Sequence, residues 1–365
     1  MNGDNLPAAI ANNTNSHNPQ KGDSHHNVSR IVEALQAVHG TQSSNETRRQ
    51  ASLFLEETKA HDEAPYHGFT LASDGSQPPV VRHFALSLLE HGIRYRWVDY
   101  SEEQARALRQ WVTTLAQKLD DDDPSYLRSK VVQLWVELAK RSWADQWLDM
   151  DEQLVQLWGS AEGTKTRQVF VVEVLEGLCE DIFNREDAAA SLRGNDLSKA
   201  CVDIFTPAVV LHEEFPNRSQ SVKVRYGDEG WLTRLTDFLF LWSESPAQED
   251  QASISIKVLS ALKAAIGWSI PKAIVTARCV PAICRCLSLA RPQVQMVSRR
   301  LSLFRSTLLT LLTELGVDRG TAFVVLSITI RRRRIHHIGV PAVRSRVGPP
   351  PEKDIRMVCH RRVRY

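Results

Sequence analysis

Pro78-Pro-Val-Val-Arg-His-Phe-Ala-Leu-Ser-Leu-Leu-Glu-His-Gly-Ile-Arg-Tyr-Arg-Trp97 is the stretch on which the fold class turns. Two prolines open it, where a helix tolerates them, and Val81, Phe84, Ala85, Leu88, Leu89 and Ile93 then fall on one stripe at three- and four-residue spacing. Just beyond, Ser101 followed by Glu102 and Glu103 reads as the cap and first turn of a second helix. Its apolar face is Ala105, Leu108, Val112, Leu115 and Leu119.

The same period extends both ways. Upstream, Val28, Ile31, Leu35 and Val38 make one amphipathic stretch, and Ala51, Phe54 and Leu55 make another after a cap at Asn45. Downstream, Asp123–Pro124 starts a helix carrying Val131, Leu134, Trp135 and Leu138. Further helices are expected over 145–158, 165–183, 192–211, 231–242, 254–266, 273–289 and 294–315, with a polar loop over 213–230. Alternating, turn-bounded strand patterns are nearly absent.

Taken as pairs, the helices begin near residues 28, 78, 124 and 164, close to the repeat of roughly 40–47 residues that HEAT and armadillo units show. Such units cannot bury their apolar faces alone and stack on their neighbours. The expected fold is therefore an all-α HEAT- or armadillo-type superhelical solenoid with a hollow inner side; a compact helical bundle is the alternative.

Charge divides the chain. Residues 331–365 hold 11 Lys and Arg against Glu352 and Asp354, whereas residues 1–330 hold 34 basic and 41 acidic residues. An acidic body suits basic partner surfaces, and a basic tail suits phosphates. The Asn-, His- and Ser-rich residues 1–27 read as a disordered extension and residues 319–365 as a disordered or aberrantly translated basic tail. A genuine RNA-contacting or localisation tail is the other reading. Six cysteines in 365 residues are too few for a disulfide framework. Cys279, Cys284 and Cys286 lack metal-ligand spacing and read as buried small hydrophobes. No uncharged apolar run is long enough to span a bilayer, and no secretory signal is evident. Phosphate-binding, nucleotide-fold, hydrolase and zinc-protease signatures are likewise missing from the sequence, so no enzyme, cofactor, metal or small-molecule substrate is expected.

Two strings carry a family resemblance. Val81 to Trp97 contains Arg82, His83, Phe84, Glu90, His91 and Trp97. Val132 to Met150 contains Lys140-Arg-Ser-Trp143 and Trp147. Both resemble the N-terminal repeats of exportin-5 and Msn5-type exportins, within the importin-β superfamily. The resemblance covers roughly residues 28–315 and implies importin-β N-terminal-like repeats over 28–119 and exportin-like repeats over 120–318. Members of that family are much longer, so the chain resembles their first third. The implied function is binding of GTP-loaded Ran and shuttling between nucleus and cytoplasm past nucleoporins, with RNA (tRNA, double-stranded RNA) or protein as cargo. A general HEAT scaffold without Ran dependence, or RNA binding through the arginine-rich tail, are the alternatives.

The resemblance also points to residues. In this superfamily the first helix of each pair faces outward and the second lines the hollow side. With the pairs phased as above, the helix over 102–119 is a second helix, and its face opposite the core is Glu103, Arg106, Gln110 and Gln117. These four are the expected Ran contacts. The motif residues Arg82, His83, Phe84, Glu90, His91, Trp97, Trp143 and Trp147 are expected to be mainly structural. Family members usually carry Pro after each tryptophan of the second string, whereas Ala144 and Leu148 stand here, implying a looser turn. Asp120 to Asp123 are expected to cap the helix that Pro124 opens.

Overall fold

The computed structural model describes residues 21–159, 165–183, 187–217, 229–244 and 249–287. The chain divides into two units, Met1–Val317 and Asp318–Tyr365, and every described residue lies in the first. The tail beyond residue 318 and the helix expected over 294–315 lie outside the described residues.

The described residues form an all-α, HEAT-type stack without a strand among them. Its first hairpins are α1 (Lys21–His39) with α2 (Asn45–Lys59), α3 (Ala64–Ser73) with α4 (Pro79–Tyr95), α5 (Glu102–Gln117) with α6 (Ser125–Ser142), and α7 (Met150–Gly159) with α8 (Lys165–Ile182). Short helices α9 (Ala188–Leu192), α10 (Gly194–Phe205) and α11 (Ala208–Glu214) follow. Next come α12 (Gly230–Glu244), α13 (Glu249–Ile266), α14 (Pro271–Thr276) and α15 (Cys279–Leu287). One layer is built by α2, α4, α6, α8 and α13 packing each on the next; α1, α3 and α5 pack likewise in the other. Leu88, Leu89 and Ile93 of α4, Leu134 and Leu138 of α6, and Val172 and Leu175 of α8 are fully buried between the layers. Each such side chain contributes about 1.5–3 kcal/mol of transfer free energy.

This pairing corrects the phase expected from sequence. Helix α3 was not legible, because Ala-Pro-Tyr-His-Gly-Phe-Thr-Leu-Ala-Ser is apolar on most sides and carries both Pro65 and Gly68. It forms because Gly68 lets α3 approach α4 closely; a Cβ there would stand 2.7 Å from the Ala85 carbonyl oxygen and 3.1 Å from Leu88 Cβ. With α3 present, α4 is the second helix of its pair and α5 the first of the next, the reverse of the expected assignment.

Other boundaries also differ. Helix α1 starts at Lys21, inside the extension expected to be disordered. Ser44 rather than Asn45 caps α2, its side chain accepting from Thr47 N. The single helix expected over 192–211 is broken at Thr206–Pro207, since proline cannot continue a helix from within. The one expected over 273–289 is broken at Ala277–Arg278, where Arg278 takes a φ of 55°. The acidic run does not cap α6, whose N-cap is Pro124 with no side-chain cap bond. Asp121 instead accepts from Thr166 N at 2.8 Å at the start of α8, and Asp123 grips Arg82. Both acids serve the neighbouring repeats rather than their own helix.

The turn after α6 is tight, not loose. The Gln146 and Trp147 N–H groups both donate to the Ser142 carbonyl at 2.9 Å. Trp143 is fully buried, and Trp147 packs against Trp135 with ring centroids 4.8 Å apart. Ala144 sits at φ 63°, a conformation that proline, locked near −65°, cannot adopt. The alanine at this position therefore matches its backbone better than the proline usual in the family.

Candidate functional site

Each layer presents a polar face. On the α4–α6–α8–α13 layer, side chains of successive repeats are tied by ion pairs. The Arg82 guanidinium donates to both oxygens of Asp123, at 2.5 and 3.1 Å, the bidentate geometry in which such pairs are strongest. Glu90 accepts from Lys130 and lies 3.3 Å from Arg94 Nη1. Arg94 Nη2 donates to Glu137 Oε1 at 2.9 Å, and Arg128 Nε donates to Glu173 Oε2 at 3.1 Å. Lys257 of α13 lies 2.9 Å from the other oxygen of Glu173. Arg82 and Glu90 of the resembling strings thus pair with charges of the next repeat, and Trp143 is buried in the core.

His83 is the exposed member of that set and packs edge-on against Tyr126 of the next repeat, with centroids 5.5 Å apart. Partial burial, and then Lys130, hold its pKa below the ordinary histidine value. Phe84, His91 and Trp97 are half-buried, His91 lying 5.0 Å from the Tyr95 ring. His83, Arg94 and Tyr126 are among the solvent-facing groups of α4 and α6, together with Tyr95.

The deepest charge cluster is also here. Lys140 is 1% exposed, and its Nζ donates to Glu137 at 2.9 Å, Asp181 at 2.9 Å and Asp187 at 2.7 Å. The three carboxylates lie close enough together to ligate a metal ion, and the Lys140 ammonium takes the place a cation would occupy. Burial lowers the lysine pKa, but the hydrogen bonds that Lys140 donates to the carboxylates outweigh it and the net shift is upward.

The expected Ran contacts lie on the other layer. Glu103, Arg106, Gln110 and Gln117 are all exposed on α5. Arg106, Gln110 and Gln117 line a groove of about 500 Å³ that continues onto Gln146, Asp149 and Gln153 at the start of α7. Glu103 is not among its lining residues. Arg109, which the sequence reading passed over, sits on the wall of this groove and is 7% exposed. Its position was legible: Ala105, Arg109, Val112 and Ala116 form one helical stripe, and its three partners are buried.

Cys279 and Cys286 are buried and form no disulfide, and the Cys284 side chain is outside those described. Among the described residues no helix is long and apolar enough to cross a membrane.

Residues 51–137 match the family model of the importin-beta N-terminal domain, and residues 124–299 match that of the exportin 1-like proteins. The chain is 28% identical over 285 residues to Protein MSN5 of Saccharomyces cerevisiae, covering 74% of this chain and 23% of that one. It is 24% identical over 277 residues to human Exportin-5, covering 73% and 21%. Similarity to Protein HASTY 1 of Arabidopsis thaliana is 27% over 166 residues, covering 44% and 13%. The chain thus spans less than a quarter of the length of these relatives.

Proposed function

Starting from a chain that belongs to the exportin-type members of the importin-β superfamily, we propose that it forms the N-terminal, Ran-engaging part of a nuclear export receptor. The observation that carries this reading is the order of the two matched domains along one continuous stack, the importin-beta N-terminal domain first and the exportin 1-like region after it. The protein acts by binding rather than by catalysis, recognises Ran in its GTP-loaded state, and shuttles between nucleus and cytoplasm in contact with nucleoporins. RNA or protein cargo is enclosed together with repeats beyond those matched here.

The corrected helix phase bears on where Ran sits. If second helices carry the contact, as the resemblance implies, the surface is the α4–α6 layer with His83, Arg94 and Tyr126, and not α5. The test is fluorescence anisotropy of the full chain against Ran loaded with a non-hydrolysable GTP analogue or with GDP. Tight binding to the GTP state alone is expected. His83→Ala with Tyr126→Ala should weaken it, and Arg106→Ala with Gln110→Ala should leave it unchanged. The opposite pattern restores the α5 assignment, and equal affinity for both nucleotide states leaves a general HEAT scaffold.

A further inference from the structure

We infer that the groove between α5 and α7 is a docking site for an extended, acidic peptide segment of a protein partner, with Arg109 as the counter-charge to its carboxylate. The inference does not depend on the Ran reading. Arg109 is almost wholly removed from solvent, yet no carboxylate lies within ion-pair distance of it among the described residues. Its observed hydrogen bond goes from Nη1 to a neutral acceptor, Gln146 Oε1, at 3.2 Å. A largely buried cation held only by a neutral acceptor is weakly compensated, and a carboxylate brought by a ligand pairs with it better. Neighbouring carboxylates attract it only at longer range: Glu102 pairs with Arg106 at 3.1 Å, and Asp149 accepts from Gln153 Nε2 at 2.8 Å. Burial, and then the repulsion of Arg106, pull the Arg109 pKa below the ordinary arginine value.

The rest of the lining decides between ligand classes. Gln110 and Gln117 present exposed side-chain amides, each with a donor and an acceptor, the complement of a peptide backbone, while Gln146 and Gln153 are bonded to Arg109, Thr113 and Asp149. A nucleic-acid backbone needs several cations in a row. The groove has two arginines, one already paired, and places Asp149 among them. An extended peptide with an acidic side chain satisfies this set, and a polyphosphate does not.

The test uses the full chain and three fluorescein-labelled twelve-residue peptides of Ser-Xaa-Gly repeats, with Xaa as Glu, Gln or Lys, together with a twelve-nucleotide single-stranded RNA. The Glu peptide is expected to bind at least tenfold more tightly than the Gln peptide, while the Lys peptide and the RNA do not compete. Arg109→Gln should weaken the Glu peptide about tenfold or more, the scale of one charge-assisted hydrogen bond. Because Arg109 is buried, Thr113→Glu is the second variant; it sets a carboxylate on the groove wall and should block the peptide without altering the helical circular dichroism. Equal binding of the Glu and Gln peptides, displacement by RNA, or full binding by both variants would overturn the proposal.

Discussion

Replacing Lys140 by methionine keeps the length of the side chain and deletes its charge, leaving Glu137, Asp181 and Asp187 facing one another. Stripping one member from a fully buried ion cluster costs about 3–5 kcal/mol. The loss here is smaller for two reasons. The Asp181 and Asp187 side chains are 38% and 24% exposed, so water takes up part of their charge. Glu137 also keeps Arg141 at 2.5 Å and Arg94 at 2.9 Å. A loss of about 2–3 kcal/mol at pH 7 is expected. The sign of the pH dependence follows from the shifts. Burial tends to raise Glu137 and Asp187, but their bonds to Lys140 prevail and hold both carboxyls below their ordinary values. Their contribution is present above the unfolded carboxylate range and is lost as pH falls through the lower folded values. The raised Lys140 contributes below its ordinary 10.5 and loses that contribution only as pH climbs through its higher folded value. Stability from the cluster is therefore full between roughly pH 5 and pH 10. The assay is urea unfolding of wild type and Lys140→Met at pH 7 and pH 4, read as midpoints at unchanged slope. The gap should narrow at pH 4, because the carboxyls of the variant, deprived of the ammonium, take up protons more readily than those of the wild type. A gap as large at pH 4 as at pH 7, or none at pH 7, refutes the reasoning.

Ala144→Gly should raise stability by about 0.5–1 kcal/mol, because φ 63° strains a Cβ-bearing residue, while Ala144→Pro should lower it by about 3 kcal/mol or more; calorimetric melting of the two variants checks both signs. Gly92→Ala should cost about 1–3 kcal/mol, since its Cβ would stand 2.5 Å from Tyr100 Oη and 3.0 Å from Pro65 Cγ. Tyr100→Phe removes a buried hydroxyl with no hydrogen-bond partner, so it should be close to neutral alone and should recover part of the Gly92→Ala loss in a double-mutant cycle. Burial pushes the Cys279 thiol up to about 12, so iodoacetamide at pH 8 should spare it in the folded chain and label it in urea, as peptide mass mapping would show.

Much of the candidate site was half-legible. Arg106, Gln110 and Gln117 could be assigned to an exposed face from their places on the α5 wheel, and they do share one groove. Their neighbour Arg109 was hidden by its residue type, although its spacing put it on the buried stripe. Gln146 and Gln153 could not be joined to them, because they lie 37 and 40 residues along the chain from the α5 groups they bond. The same holds for Asp121 and Asp123, read as a local cap but spent on Thr166 and Arg82.

Local chemistry, carried by residues three and four apart, determined from the sequence alone that the chain is helical, where its strongest helices lie, and that they repeat at a HEAT-like interval. The VRHF and KRSW strings added the family. The phase of the pairs was decided only in three dimensions, because α3 owes its existence to Gly68 closing on α4 rather than to any periodic stripe of its own. That one short helix determines which layer each side chain joins. It also decides which charges meet across repeats, since ion pairs such as Arg82–Asp123 and Lys140–Asp187 form between groups 41 and 47 residues apart, a separation that no local pattern encodes.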